Sequence, residues 1–249
     1  MHFATFLVAL LPLTSSARLL GQQVIGRPFE SLEYSVPTAH EAAITARRIL
    51  ALTPLGTFST SFPSEPPKSP WDHRPENANG VPIGLTDNVA DCEGDGNPTV
   101  LAINVATQFR NAAAGSNVSL TLQWYPPYPP RHRMGGKGSK HSLPFAAANQ
   151  PRFALMGHFE DISAEDVKKR NIVECFTKTN PETKYWLPGG QAHEAHWARL
   201  VVEAIYFVGG FGDRAYIGWI DAEDWRNVTK REIEGIRLDG ERKRWKEEL

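Results

Sequence analysis

The residues with the clearest chemical signature lie in V-G-G-F-G-D-R-A-Y-I-G-W-I, residues 208–220. Gly210, Gly212 and Ala215 match the pattern G-x-G-x-x-A directly after an apolar run. Such a loop binds the pyrophosphate of a dinucleotide when a helix follows at once, because a helix N-terminus favours negative charge. Here A-Y-I-G-W-I alternates like a β-strand, and only 37 residues (213–249) remain for further βα units. The glycines therefore indicate a bulge or turn in a long strand, or a close approach of another backbone, and not a nucleotide site.

The histidines and carboxylates of the sequence offer little further chemistry. His193 and His196 form an H-x-x-H pair, but the P-G-G at 188–190 places them in a loop, and His158 belongs to another predicted strand. Paired carboxylates occur at the ends of elements, where helix capping accounts for them. The sequence has no G-x-S-x-G motif and no motif of a nucleophilic cysteine. We therefore predict neither a metal site nor a catalytic residue.

Residues 1–17 have the pattern of a secretory signal peptide. An apolar stretch runs from Phe3 to Leu13, and the small residues Ser15 and Ala17 fit the cleavage rule. The stretch is shorter than the roughly 20 apolar residues that a transmembrane helix needs, and no other segment approaches that length. The alternative is a buried N-terminal strand or helix. With a signal peptide, residues 18–36 form an N-terminal leader, and we expect a secretory-pathway protein that is extracellular or endolysosomal.

Two further features agree with entry into the secretory pathway. N-V-S at Asn117 and N-V-T at Asn227 are acceptor sites for N-glycosylation, since neither has proline at its middle position. Cys92 and Cys175 are the only cysteines, and an oxidising lumen would allow them to form a disulfide. Two buried thiols fit the sequence equally well.

The chain ends in K-E-E-L, residues Lys246 to Leu249, which is a one-residue variant of the tetrapeptide that an ER retrieval receptor reads. If it acts as a retrieval signal, the protein is retained in the ER. The alternative is that residues 230–249 form a charged C-terminal tail with no signal in it.

Between these ends, the apolar pattern predicts strands with a few helices among them. Thr38 and Glu41 form a capping box ahead of the first helix, and residues 55–62 then alternate like a half-buried strand. A later helix is predicted from Ser163 through Phe176. About six strands and two or three helices result, which favours an antiparallel sheet or barrel over a βαβ fold. The net charge of -1, without a dense basic stripe, argues against a nucleic-acid partner.

The order of these segments resembles the CREG-type glycoproteins, a branch of the pyridoxamine 5'-phosphate oxidase-like, FMN-binding split β-barrels. The resemblance covers about residues 38–229. It rests on an ordered set of segments: H-E-A-A-I-T-A-R-R-I-L, L-G-T-F-S-T-S-F, N-V-S-L-T-L, N-P-E-T-K-Y-W, G-G-F-G-D-R-A-Y-I-G-W-I and W-R-N-V-T. It implies an α+β, mainly β fold over residues 37–229: a six-stranded antiparallel split β-barrel with flanking helices. It also implies a homodimer, with any flavin held between the subunits.

In the oxidase members that the chain resembles, a basic residue after the third strand, followed by a short helix, binds the FMN phosphate. Arg110 falls at that position in V-A-T-Q-F-R-N-A-A-A-G, where Thr107 and Gln108 would add hydrogen bonds and Ser59 to Ser61 would line the neighbouring strand. Arginine suits a phosphate because its planar fork donates two parallel hydrogen bonds. The alternative is that Arg110 caps the short helix or pairs at the surface, since the oxidases carry a basic pair and Arg110 has no basic neighbour.

Two functions fit these features. The first is a non-catalytic secretory glycoprotein whose split barrel binds a protein partner or a small-molecule ligand. The alternative is an FMN-dependent oxidoreductase, in which the flavin itself supplies the hydride chemistry, so that no protein acid or base is required. The signal peptide, the two glycosylation motifs and the single arginine favour the first.

Deletion of Lys246 to Leu249 is expected to increase secretion, because the retrieval receptor would no longer recognise the chain. The measurement is the fraction of protein in the medium of a eukaryotic host, compared with the full-length chain. Replacement of the same four residues by alanine controls for tail length and should have the same effect. Unchanged partitioning in both variants would show that the tetrapeptide is not a retrieval signal.

Overall fold

The computed structural model describes residues 35–65, 73–127, 146–190, 193–212 and 214–241. The predicted signal peptide, most of the predicted leader and the tetrapeptide Lys246 to Leu249 lie outside these ranges. Within the described ranges, the structure contains no helix with the length and apolar character needed to cross a membrane.

The described residues form seven strands and six α-helices. The strands are β1 (Leu55–Ser61), β2 (Pro82–Asn88), β3 (Thr99–Ile103), β4 (Val118–Gln123), β5 (Arg152–Asp161), β6 (Ala195–Val208) and β7 (Ile217–Ile220). The helices are α1 (Ala39–Leu52), α2 (Thr107–Ala113), α3 (Ala164–Lys169), α4 (Ile172–Thr179), α5 (Ala222–Asn227) and α6 (Lys230–Gly235). Three 3₁₀ helices also occur, at Glu76–Ala78, Ala147–Asn149 and Pro181–Trp186.

All strand pairs in the sheet are antiparallel, and the order of the strands is β2-β1-β4-β5-β6-β3. An isolated bridge between Ala90 and Thr99 joins the residues after β2 to the start of β3, which brings the two ends of this order together. β7 pairs with the second half of β6, beyond the half that pairs with β3. The prediction of an antiparallel split barrel with flanking helices is confirmed, and β7 adds a short strand to the expected six.

Gly209, Gly210 and Gly212 lie in the turn between β6 and β7. The N–H of Gly209 donates to the carbonyl of Tyr216 at 2.8 Å. Gly210 has φ +143°, and a Cβ there would lie 3.0 Å from the carbonyl oxygen of Asn149. A strand follows this turn, not a helix. The prediction that these glycines belong to a turn in the strands is confirmed.

Alternate residues of the strands fill the interior of the barrel, and α1 buries its apolar face against them. Phe58, Leu120, Leu155, Leu200 and Ile205 are completely buried there. Burial of each such side chain contributes about 1.5–3 kcal/mol. The half-buried strands predicted from alternating residues are therefore the wall of this core.

A second, smaller core lies on the outer side of β3 and β6. Its buried members are Ala90, Leu101, Ile162, Ile172, Phe176 and Trp197. Leu101 and Trp197 are register partners, and their chain neighbours Val100, Ala102 and Ala198 belong to the barrel core, so both point outward against α4. The single helix predicted from Ser163 through Phe176 is wrong in one respect: Asn171, with φ +51°, breaks it into α3 and α4.

The C-terminal helix α6 packs against α1. Thr229 and Glu232 form a capping box at its start, and the hydrogen bonds from the hydroxyl and N–H of Thr229 lower the pKa of Glu232 to about 2. A second oxygen of Glu232 lies 3.1 Å from Nε2 of His40. Arg48 pairs with Glu241. The structure thus places the first residues of the predicted tail against the barrel domain.

Arg47 of α1 is completely buried where α1, α5 and residues 91–97 meet; we call the segment 91–97 the acidic loop. The guanidinium donates to Oδ2 of Asp91 at 2.9 Å, to the carbonyl of Gly94 at 2.7 Å and to the carbonyl of Trp225 at 3.0 Å. Its carbon lies 5.3 Å from the centre of the Trp225 ring. A buried charge is strongly destabilising unless it is paired and hydrogen-bonded, so these partners must keep their places.

Gly96 is required at this junction for two reasons. Its φ is +88°, and a Cβ would lie 2.5 Å from Nε1 of Trp225 and 2.8 Å from Nη1 of Arg47. Gly94 has a similar φ of +76° but no atom within 4 Å of the same position. Alanine at position 94 would therefore add only backbone strain, whereas alanine at position 96 would add both backbone strain and steric overlap.

Gly96→Ala is expected to lower the free energy of unfolding by about 3 kcal/mol or more, because strain and overlap with Arg47 and Trp225 add. Gly94→Ala, as the matched control, should lower it by about 1 kcal/mol, from backbone strain alone. Urea denaturation of both variants measures the difference. Equal losses would contradict the close packing around Arg47.

Candidate functional site

The three side chains predicted to bind a phosphate all lie on α2, but they face different surroundings. Thr107 is half-buried, Gln108 is buried and Arg110 is exposed. Nε2 of Gln108 donates to Oδ2 of Asp87 on β2 at 2.5 Å. Burial raises the pKa of Asp87, against the lowering effect of its hydrogen bonds. The amide of Gln108 is thus engaged with a carboxyl group.

The rest of α2 closes one end of the barrel. Phe109 packs against Phe58 and Phe159, with ring centres 6.3 and 5.0 Å away. Nδ2 of Asn111 donates to the hydroxyl of Thr60 at 3.1 Å. Gln108, Phe109 and Asn111 therefore serve the packing of the barrel.

This arrangement fits a phosphate site only in part. Thr107 and Arg110 carry suitable donors, whereas Gln108 is committed to Asp87 and would bring a carboxyl group close to a phosphate. Of the serines predicted to line the site, Ser61 donates its N–H to the hydroxyl of Ser116 at 2.7 Å, within the barrel wall. A phosphate bound here would rest mainly on one arginine.

The histidines considered for metal binding have separate partners. Nδ1 of His158 lies 2.9 Å from Glu203, on the neighbouring strand. His196 lies 2.9 Å from Asn104 and 3.2 Å from Asp161, and His193 is exposed. In the part of the chain that the structure describes, no three His, Cys, Asp or Glu side chains are grouped to hold a metal ion.

The acidic loop, D-C-E-G-D-G-N, escaped the sequence analysis although its alternating acidic residues have the spacing of a cation-binding loop. In the structure, each of the three carboxylates has a partner within the protein. Asp91 pairs with the arginine of α1, while Glu93 is enclosed between Arg170 at 3.0 Å and Arg199 at 3.1 Å. Asp95 accepts a hydrogen bond from the backbone N–H two residues further on. Burial raises the pKa of Glu93, and the two arginines counteract that effect.

An uncharged surface lies on the outer side of β5, β6 and β7. Seven residues at outward positions of these strands define what we call the aromatic patch: Ala154, Met156, Ala204, Tyr206, Val208, Ile217 and Trp219. Along the strands, the nearest charged residues are Arg152 on β5, Glu203 on β6 and Asp221 directly after β7, and they bound the patch. No member of the patch carries a charge.

Tyr206 and Trp219 are the most prominent members of the patch. They are register partners on β6 and β7, and their rings meet edge to face with centres 5.1 Å apart. Trp219 is 60% exposed and Tyr206 is 37% exposed. Large aromatic side chains of this kind are enriched in the centres of binding interfaces, where they bury much area at a low cost in conformational entropy. The alternation of A-Y-I-G-W-I indicated that Trp219 lies on a strand, but only the register of β6 and β7 shows that Tyr206 lies beside it.

The structure describes both predicted glycosylation sites and both cysteines. Asn117 precedes β4 and Asn227 ends α5, and both are exposed. Cys92 and Cys175 form a disulfide that joins the acidic loop to α4. The sequence left this pairing open, and the structure joins the two residues.

Comparison with protein-family models gives a match over most of the chain. The model described as "CREG, beta-barrel" matches residues 37–227, which is most of the chain. The chain belongs to the CREG beta-barrel family. The resemblance inferred from the ordered sequence segments is therefore confirmed. Comparison with curated protein sequences gives no match.

Solved structures similar to this CREG-family chain have low sequence identity to it. A heme binding protein from Mycobacterium smegmatis has a TM-score of 0.51 and 18% identity, over 77% of this chain and 61% of that one. The protein Atu2129 from Agrobacterium tumefaciens, whose function is described as unknown, has a TM-score of 0.48 and 21% identity, over 76% of this chain and 61% of that one. The matched region thus spans less than two thirds of either protein.

Proposed function

We propose that this CREG-family protein is a glycoprotein of the secretory pathway that acts by binding and not by catalysis, with the aromatic patch as its binding surface. The observation that carries the proposal is the exposed Tyr206–Trp219 pair within an uncharged part of the barrel wall. An exposed Trp and Tyr in contact, without a charge among them, are typical of a surface that a partner covers. The exposed positions of Asn117 and Asn227 support glycosylation of the folded protein.

The first partner of this surface is a second copy of the chain. In a two-fold dimer each patch meets itself, and an uncharged patch does so without like-charge repulsion. The charged residues that bound the patch are Arg152 and the two acidic residues Glu203 and Asp221, and they would lie at the rim of such an interface. A homodimer is also what the family resemblance implies.

The non-catalytic part of the proposal is supported by the chemistry of α2. A phosphate at Arg110 would lie in a segment where Gln108 already holds the carboxyl group of Asp87. A flavin or a heme remains the class of ligand to test, because one similar split barrel is described as a heme binding protein. When bound, a flavin would supply hydride chemistry; Thr107 and Arg110 are the residues that would hold its phosphate.

The protein purified from a eukaryotic host is expected to show no stoichiometric flavin or heme absorption, and no saturable change in FMN fluorescence on titration. A phosphate held mainly by one arginine lacks the several donors that such sites use. A stoichiometric flavin band that is lost in Arg110→Ala, but kept in the control Arg226→Ala on α5, would overturn the non-catalytic proposal.

Trp219→Glu is expected to convert a dimeric protein into a monomer, because two carboxylates would then meet at the two-fold axis without a counter-charge. Light scattering during size-exclusion chromatography, at several protein concentrations, measures the mass. Tyr185→Glu is the matched control, since Tyr185 is 82% exposed and lies outside the patch. A wild-type monomer at every concentration would reject the homodimer, and a dimer that survives Trp219→Glu would reject the patch as its interface.

A further inference from the structure

Residues 163–187 form a separate layer on the outside of the barrel, which we call the helical layer; it contains α3, α4 and the 3₁₀ helix Pro181–Trp186. Its apolar contacts belong to the second core, with Ile172 and Phe176 from the layer against Leu101 and Trp197 from the barrel wall. The rings of Phe176 and Trp197 meet edge to face, with centres 5.2 Å apart. This core is distinct from the barrel interior, so the layer can leave without opening the main core.

The layer is joined to the barrel by side chains and not by strand pairing in the described residues. Nδ2 of Asn180 donates to the carbonyl of Val89 at 3.2 Å. Nδ2 of Asn88 donates to Oδ1 of Asn180 at 2.9 Å and to Oε1 of Glu182 at 2.7 Å. The main chain connects the layer to the barrel at residues 163 and 187. In the described residues, the one further covalent connection is the disulfide between Cys175 of α4 and Cys92 of the acidic loop. A unit with few attachments and its own small core is the kind that opens locally.

Glu93, next to Cys92, allows such an opening without leaving an unpaired buried charge. Arg170 reaches it from the helical layer and Arg199 reaches it from β6 of the barrel. If the layer moves away, Arg170 leaves with it, while Arg199 still neutralises the carboxylate. The usual penalty for breaking a buried ion pair is therefore avoided on the barrel side.

We propose that the Cys92–Cys175 disulfide is a redox latch for the helical layer. While the disulfide is intact, the layer stays on the barrel; after reduction, the layer opens locally, exposes Leu101 and Trp197 on the barrel wall, and leaves the barrel folded. The reductant is a dithiol. One of its thiolates attacks a sulfur of the disulfide to give a mixed disulfide, and its second thiol then displaces the protein thiol. The dithiol ends as a disulfide, and Cys92 and Cys175 gain two electrons and two protons as thiols.

Two features favour reduction as the signal. Neither cysteine is fully buried, so a small dithiol can reach the bond without prior unfolding. The disulfide closes a loop with a sequence separation of 83 residues, so its loss removes a long-range restraint on the layer. The outer faces of β3 and β6 would then present an apolar surface that the oxidised protein covers with α4.

Hydrogen exchange of the full-length protein, with and without dithiothreitol, tests the latch. After reduction, the amides of α4 are expected to exchange faster by about tenfold or more, with a weak dependence on low urea concentrations that marks local opening. Amides of β4 and β5 should keep the steep urea dependence of global unfolding. A variant with both Cys92→Ser and Cys175→Ser should behave like the reduced protein and should not respond to dithiothreitol.

Ile49→Val is the control for a general loss of stability, because Ile49 is completely buried in the barrel core and the disulfide remains intact. It should accelerate exchange in the barrel without selective opening of α4. Either of two results would overturn the proposal: unchanged exchange of α4 on reduction, or an increase in α4 that matches β4 and β5 in size and urea dependence. The second result would show that the disulfide only stabilises the fold as a whole.

Discussion

The arrangement of α1, α5 and the acidic loop depends on the hydrogen bonds of the buried Arg47 guanidinium. Its three oxygen partners come from two distant parts of the chain, and each satisfies a donor that has no access to water. Because a buried cation tolerates little displacement of its partners, the positions of the loop and of Trp225 follow from the position of α1. The acidic loop also carries Cys92 and Glu93, which connect to the helical layer and to β6. Arg47 of α1 thus contributes to the barrel core directly and to the second core through the position of the acidic loop.

The parts of the fold that the sequence predicted are those determined by local signals. The capping box of Thr38 and Glu41 starts α1 in the structure, and the alternation at residues 55–62 corresponds to β1. The break at Asn171 was missed because the apolar spacing continues across it, while the left-handed backbone there has no strong local signal apart from asparagine itself. The role of the acidic loop was missed because its partners are distant: Arg47 is separated from Asp91 by 44 residues and from Trp225 by 178.

The same distinction applies to the site. The α2 segment has the sequence order of a phosphate-binding segment, but the use of Gln108 depends on Asp87, which lies 21 residues earlier on another strand. The aromatic patch could be inferred only in pieces, since alternation shows that Trp219 and Tyr206 lie on strands but not that the two strands pair in that register. Residue types therefore suggested candidate chemistry, and the pairing of strands decided which side chains share a surface.

Thr229 has two roles whose combination restricts how the second glycosylation motif can change. It completes the motif that begins at Asn227, and its hydroxyl also accepts the N–H of Glu232 at the start of α6. Loss of the motif through Thr229→Ala would remove a helix cap as well as the acceptor site, whereas a change at Asn227 leaves the cap intact. Thr229→Ser keeps both. Selection for the fold of α6 thus tends to preserve half of the glycosylation motif, even in a setting where the glycan itself has no use.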